Sequence, residues 1–415
     1  MGWSHEDMLQ WLAGPPVFVE VLRPARLGDG ILAPSPADLE QYARAGQRVA
    51  ACGEVTHFIP ASGAASRMRA SLNEQALADF PELAAVLAGP AGEQLPKALI
   101  PVHRYATGTR TVLEEQCREA ALIAGEEGRA HCLHLTASVS MQSMLDAEAR
   151  RTVATLGFAG AWHVEVTCQD PATNMPSLRL DGQPVRDASG ALHLRAGGHG
   201  ALLGNLTQVQ TTYAMVKNID NVVVDRLRPR VLHHRRALLG ILVAMREEAR
   251  QARSGGRPEM ERWCTRWLGH VPGEAVDVLQ RPMRVCGMVP NDGAPGGGPF
   301  WTRRGLQIVE GSEIDPDDAQ QQAQMVASTH FNPVDMALCL HDLDGRRCDL
   351  QAMVDPSRRI RVRRQVLGEL AQTAELPGLW NGSMSGWNTV FVAMPAESFA
   401  PIKTISDLYA APHQP

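Results

Sequence analysis

The sequence predicts an α/β fold, a sheet flanked by helices. Strand and helix patterns alternate between residues 55 and 168. A buried strand runs through a small-residue turn straight into a helix at 55–68. The chain has 415 residues and is 44% hydrophobic, enough for one large core.

Taken in order, residues 4–13 read as a short amphipathic helix, and 37–50 as a second, opened by Ser35-Pro36-Ala37-Asp38. Val55-Thr-His-Phe-Ile-Pro60 reads as a strand that leads into Ala61-Ser-Gly-Ala-Ala-Ser-Arg-Met68, the first half of a βαβ unit. Lys97-Ala-Leu-Ile-Pro-Val102 is a further strand candidate. A helix follows from Thr111 through Ala124, then a strand at 131–136, a helix at 140–156 and a strand at 162–168. This is the pattern of a parallel, doubly wound sheet.

The middle is looser. Ala196-Gly-Gly-His-Gly-Ala201 is a Gly-rich loop, and a strand within 212–224 is expected to end near Asp220. A long helix covers 229–253, closed by Ser254-Gly-Gly256. Strands are expected at 284–290 and 305–310, on either side of a Gly/Pro-rich turn, with a mixture of hairpin and short helix from about 346 on. No internal repeat or long low-complexity linker divides the chain, so one compact unit is expected.

Net charge is -5, which supplies no global field for nucleic acid or anionic membrane. The eight cysteines form no CxxC pair and several lie in apolar runs, as buried reduced thiols do. The opening Met-Gly-Trp-Ser-His-Glu-Asp is not a basic start followed by an apolar stretch. The longest apolar run, 237–245, is about half of what a spanning helix needs. The expectation is a cytoplasmic protein with neither nucleic acid nor membrane as partner; oligomeric state is not legible.

Four segments carry candidate chemistry. In the turn Ser62-Gly63-Ala64-Ala65-Ser66, small side chains let backbone N–H groups approach an anion, and Arg67 offers a planar fork to phosphate oxygens; a tight packing turn is the alternative. Lys97, between a proline and an apolar run, suits a fixed cation beside a phosphate, or is a strand-end lysine in solvent. Gly198 and His199 lie in a run that implies close backbone approach or positive φ, around a ligand or in a plain turn. Asn218-Ile-Asp220-Asn221 offers one carboxylate at a strand end, which suits Mg²⁺ carried on a triphosphate, or an Asx turn.

Other features have plainer readings. In His330-Phe-Asn-Pro-Val-Asp335, Asn332 or Asp335 completes a metal or sugar site, or the segment is a capped helix start. Asp342-Leu-Asp344 mimics a DxD metal motif but reads as a hairpin turn with Gly345. Arg358-Arg-Ile-Arg-Val-Arg-Arg364 reads as a solvated edge strand. Trp380 and Trp387, each followed by Asn, read as core or as a sugar platform.

In combination these segments resemble known families. The turn ending in Arg67, followed by Pro96-Lys97, resembles the signature of sugar-phosphate nucleotidyltransferases. Gly-Gly-His-Gly, Asn-Ile-Asp-Asn, Val309-Glu-Gly-Ser-Glu-Ile314 and Phe399-Ala-Pro-Ile-Lys-Thr-Ile-Ser-Asp-Leu408 resemble stations of the UDP-sugar pyrophosphorylase group. Over about 55–412 the chain is similar to a bacterial domain of unknown function, in which Ser-Gly-Ala-Ala-Ser-Arg-Met, Lys-Asn-Ile-Asp-Asn-Val-Val, Pro-Gly-Gly-Gly-Pro-Phe-Trp and Leu-Pro-Gly-Leu-Trp-Asn-Gly recur.

The resemblance implies a Rossmann-like nucleotide-diphospho-sugar transferase fold (GT-A type) with a mixed sheet flanked by helices. It implies an N-terminal helical segment at 1–50, a catalytic core at 51–345, and a C-terminal segment at 346–415 that brings a lysine to the site. It also implies nucleotidyl transfer from a nucleoside triphosphate, UTP for preference, to a sugar 1-phosphate or similar acceptor. Residues 62–67 would hold the triphosphate, Lys97 the phosphates, and Gln169 the base. Gly198 and His199 would line nucleotide or sugar. Asp220 would bind Mg²⁺, Glu310 would face sugar hydroxyls with Asn332 nearby, and Lys403 would neutralise phosphate charge in the transition state. A glycosyltransferase using a nucleotide sugar and a non-catalytic nucleotide-binding regulator are the alternatives.

Overall fold

A computed structural model describes residues 4–63, 65–89, 95–272, 278–291, 293 and 296–414. The main sheet has ten strands. From one edge its order is Arg26–Leu27, Gly30–Leu32, Asn388–Ala393, Met283–Pro290, Asp335–Cys339, Tyr213–Lys217, Val55–Pro60, Ala130–Ala137 and Ala161–Cys168, and His330–Phe331 pairs with the end of Met283–Pro290.

The half read as alternating is parallel: Val55–Pro60 pairs in parallel with Ala130–Ala137, and Ala130–Ala137 with Ala161–Cys168. Asp335–Cys339 departs from that rule, running antiparallel to both of its neighbours. The chain leaves Met283–Pro290 and comes back beside its end, where His330 pairs with Pro290. A return at the same end needs no crossover helix and makes the next strand antiparallel. All six longer parallel strands therefore end along one edge, and the 330–334 loop enters from that edge too.

Alternation along the strands divides the core. Tyr213 and Met215 face a cluster built with the helices Pro36–Ala51, Arg228–Gly255 and Arg257–Leu268. Ala214 and Val216 face the other side, covered by Trp301, Leu306 and Ile308 of a three-stranded sheet and by Leu379 and Trp387. Helix starts follow local signals: Ser35 accepts from Asp38 N at 3.2 Å ahead of Pro36, and Thr111 and Glu114 form a reciprocal capping box. Helices Pro36–Ala51 and Arg228–Gly255 approach through two glycines. A Cβ on Gly46 would lie 1.9 Å from Arg236 O, and one on Gly240 would lie 1.8 Å from Tyr42 O.

Several expectations are corrected. Lys97 does not begin a strand; Lys97–Leu99 is a 3-10 turn, and the strand is Pro101–Tyr105. No helix starts after Asn332: Val334 has φ +61° and the chain passes into a strand. Asp335 points into a buried group of charges, where Arg235 Nε donates to its Oδ2 at 2.6 Å. Lys217 donates to Glu119 at 2.7 Å in the same group, and Arg235 pairs with Glu119 as well. Arg358 and Arg359 are buried, so only Ile360–Val366 fits the edge-strand reading. Asp342 sits in a turn, where its Oδ1 accepts from Asp344 N and Arg346 N, and Asp344 pairs with Arg253 at 2.9 Å. All eight cysteines are free, and Cys52 is exposed rather than buried.

Candidate functional site

A cleft of about 440 Å³ opens at the carboxyl edge of the sheet. Arg67, Asp220, Glu310, Asn332, Trp380 and Lys403 are among the residues lining it. Five of these were singled out from the sequence as ligand-binding or catalytic; Trp380 was left between core and platform.

Arg67 lies in the short helix Ser66–Ala70, anchored by fully buried Met68. The turn before it is held from behind: Ala61 N donates to Thr136 O at 3.0 Å, and Gly63 O accepts from Lys97 N at 3.0 Å. A Cβ on Gly63 would meet nothing within 4 Å, so the turn is open on its outer side there. Ser62, Gly63, Ala65 and Ser66 form the approach to Arg67 and are not themselves cleft-lining; Ala64 lies outside the described residues.

Asp220 follows the strand Tyr213–Lys217 by three residues, in a turn rather than at the strand's last position. Lys97 Nζ donates to its Oδ2 at 2.7 Å. The turn is held by two residues that the sequence did not single out for this task. Gln116 Nε2 donates to the carbonyls of Ile219 (2.8 Å) and Asn218 (3.1 Å). Buried Asn221 donates to Ser398 O at 3.0 Å and accepts from Ala400 N at 2.9 Å. Ile402 N then donates to Asp220 O at 3.0 Å. These bonds lay the C-terminal segment along the turn and bring Lys403 to the cleft. A polar residue beside an aspartate was the only local hint of Asn221's part; Gln116, inside a helix, gave none. Arg67 and Lys403 form no ion pair among the described residues. Lys403 Nζ sits 5.6 Å from the centroid of the Phe399 ring.

The far wall carries Glu310, just past the strand Gly305–Val309. His199 Nε2 lies 3.5 Å from Glu310 Oε1, and His199 Nδ1 accepts the Leu379 N–H at 3.0 Å. That bond assigns the ring its Nε2–H form. Burial pushes the Glu310 carboxyl up, but hydrogen bonding and charge from the His199 side outweigh it, and the net shift is downward. His199 also stacks on Trp380, centroids 4.0 Å apart and 19° between planes.

The glycines around His199 serve packing. A Cβ on Gly197 would lie 2.3 Å from Thr173 O, and one on Gly200 would lie 2.2 Å from Pro377 O; Gly198 has φ +74°. Gly198 and Gln169 do not line the cleft. Gln169 Nε2 donates to Thr173 Oγ1 at 3.1 Å, beside a second cavity that takes in Cys168, Asp170 and Gly200. Asn332 does line the cleft, yet its amide serves the scaffold, donating to Gly287 O at 2.9 Å and accepting from Val334 N at 3.0 Å.

One carboxylate beside room for phosphate oxygens and water suits Mg²⁺ brought in on a triphosphate. Among the described residues no cluster of three or more His, Cys, Asp or Glu offers a metal cage made by the protein alone. None of the described helices is long and apolar enough to cross a membrane.

A family model described as a domain of unknown function (DUF4301) matches residues 5–83, 91–254 and 274–414. No curated protein matches. Among solved structures, the chain is similar to the uridine diphosphate N-acetylglucosamine pyrophosphorylase of Trypanosoma brucei, at 13% identity and TM-score 0.57, covering 97% of this chain and 74% of that one. It is similar to a UDP-glucose phosphorylase of Trypanosoma brucei, at 14% identity and TM-score 0.53, covering 96% and 72%. It is also similar to a variant UDP-glucose pyrophosphorylase of Leishmania major in complex with UDP-glucose, at 14% identity and TM-score 0.51, covering 97% and 73%. At such identities the likeness establishes the fold: a mixed sheet flanked by helices, shared with UDP-sugar pyrophosphorylases.

Proposed function

The chain belongs to the DUF4301 family, and from that membership, its fold and its cleft we propose that it is a nucleotidyltransferase, moving a nucleoside monophosphate from a triphosphate, UTP for preference, onto a sugar 1-phosphate or similar phosphorylated acceptor. The observation that carries the reading is the convergence on one cleft of Arg67, Asp220 and Lys403, from segments that lie far apart in the chain, with Lys97 bonded to Asp220.

In this reaction the acceptor phosphate attacks the α-phosphorus in line and pyrophosphate leaves. The acceptor is already ionised, so no strong general base is needed, and the protein contributes position and positive charge. Arg67 takes phosphate oxygens through its fork, and Lys403 faces the leaving pyrophosphate. Asp220 would hold Mg²⁺ through the oxygen not engaged by Lys97, and the ion would supply charge neutralisation at the phosphates. Glu310 receives polar groups of the acceptor on the opposite wall. The glycosyltransferase reading lacks comparable support, since Asp342 and Asp344 are occupied in a turn outside the cleft.

The test is pyrophosphate release by the full chain with Mg²⁺, each of four nucleoside triphosphates and a panel of phosphorylated acceptors. Release that needs both substrates supports the reading. Nucleotide binding with no product from any pair identifies a regulator instead, and nucleoside diphosphate release from a nucleotide sugar identifies a glycosyltransferase.

A further inference from the structure

Contacts run in order around the cleft wall. Lys403 lies over Phe399, and Phe399 meets Phe331 edge-on at 4.9 Å between centroids. Phe331 borders Gly296, where a Cβ would lie 2.9 Å from its ring, and Gly297 borders Glu310, where a Cβ would lie 3.6 Å from Cγ. Glu310 then meets His199, and His199 meets Trp380. The cationic part of the cleft thus passes through aromatic rings to a carboxylate beside an indole.

Among the described residues Glu310 forms no ion pair with an arginine or lysine; His199 Nε2 meets it at 3.5 Å while His199 Nδ1 accepts the Leu379 N–H. The Arg358 guanidinium is bonded elsewhere: Nε donates to Glu313 Oε1 at 2.9 Å, Nη1 to Gln307 Oε1 at 3.1 Å and Nη2 to Ile308 O at 2.8 Å. Asn381 donates its amide to Glu313 at 3.0 Å. Arg358 pairs with buried Glu313, and Glu310 stands half-buried in the cleft wall, where Asn381 and the Arg358 charge also favour its carboxylate. Its ionised form is favoured in place. An ionised carboxylate on a cleft wall accepts a charge-assisted hydrogen bond from an ammonium, and the indole of Trp380, which lines the same cleft, attracts cations through its ring quadrupole.

We propose that the acceptor carries a protonated amine as well as its phosphate, and that Glu310 and Trp380 receive the ammonium group. This rests on the nucleotidyltransferase reading and narrows it to phosphorylated amino compounds, with Glu310 as the specificity-determining residue. A hydroxyl in the same place would donate a neutral hydrogen bond, about half as strong as the charge-assisted one from an ammonium.

The test is calorimetric binding to the full chain in two matched pairs, glucosamine 1-phosphate against glucose 1-phosphate and phosphoethanolamine against ethylene glycol monophosphate. The amine is expected to bind about tenfold tighter or more in at least one pair, and the pair that responds tells amino sugar from amino alcohol. Glu310→Gln is expected to abolish the preference. Independently of any variant, raising the pH through the ligand amine's own titration is expected to weaken the amine and spare its neutral partner. A preference below about tenfold in both pairs, no binding by any of the four, or a preference that survives Glu310→Gln overturns the proposal. A clear amine preference with no pyrophosphate release would sink the nucleotidyl-transfer reading alone.

Discussion

Lys97 and Asp220, 123 residues apart, meet with Nζ 2.7 Å from Oδ2; Asp220 lines the cleft, and both side chains are largely withdrawn from water. The ammonium holds one carboxylate oxygen in place. Replacing Lys97 by Met removes this partner and a positive charge at once. We expect nucleoside triphosphate binding to weaken and stability to fall by about 1–3 kcal/mol, read by calorimetry and by urea unfolding. Unchanged nucleotide affinity would show that Lys97 serves the fold alone.

Lys403 reaches the cleft from a segment whose backbone is fixed by Asn221 and Asp220, and its ammonium lies over the Phe399 ring. Lys403→Ala should leave the unfolding midpoint in place and raise the activation barrier of nucleotidyl transfer by about 2–4 kcal/mol, a loss of about 30- to 900-fold in kcat. Turnover of this variant at the wild-type rate would falsify the role.

Gly240→Ala tests the helix pair. Its new methyl would meet the Tyr42 carbonyl at 1.8 Å, a backbone atom that cannot swing aside, so the helices must separate. Overpacking of this kind costs about 1–3 kcal/mol or more. Urea unfolding should show a lower midpoint with an unaltered slope; an unshifted midpoint would mean that the helices part at no cost.

Acid should weaken the fold early. Burial is the main cause that depresses His57, with His131, Lys217 and Arg235 adding to it against the pull of Glu119, from 6.5 to about 4. Burial likewise takes His134 to about 4. The unfolded chain therefore binds these protons near pH 6.5, whereas the folded chain refuses them until about pH 4. Their contribution is whole above pH 6.5 and is lost as pH falls through that window, on the order of 3 kcal/mol for each group. Glu119 extends the loss: burial raises it, but Arg235 and Lys217 bring it from 4.5 down to about 2, so its contribution falls away below pH 4.5. Unfolding free energies measured at pH 7 and pH 5 should differ by several kcal/mol. Equal values would show that these histidines protonate within the folded protein.

Much of this architecture was legible because its causes are local. The alternation from 55 to 168 gave three parallel strands, Ser35 and Thr111 marked helix starts, and the small residues after Pro60 marked the turn that carries Arg67. The errors share a different origin. Asp335 and Asp220 are both aspartates next to Asn-containing turns, and nothing nearby in sequence tells them apart. Arg235 takes the first into the core, and Lys97 keeps the second at the cleft. Arg358 looked solvated beside four other arginines until Glu313 and Gln307 received it. Trp380 and Trp387 sit in nearly the same local context, yet one lines the cleft and the other is core.

The sequence by itself determined an α/β protein with a small-residue turn ending in arginine, a carboxylate past a strand and a lysine near its end, since backbone propensity and hydrophobic period act over a few residues. Only the tertiary structure decided that the strand Asp335–Cys339 runs antiparallel, that the glycines around His199 serve packing, and that Glu310 meets His199 at the cleft wall. Each depends on which distant group arrives to pair, fill or exclude. Neutralising a charge or closing a wall takes partners tens to hundreds of residues away, and only the folded chain brings them together.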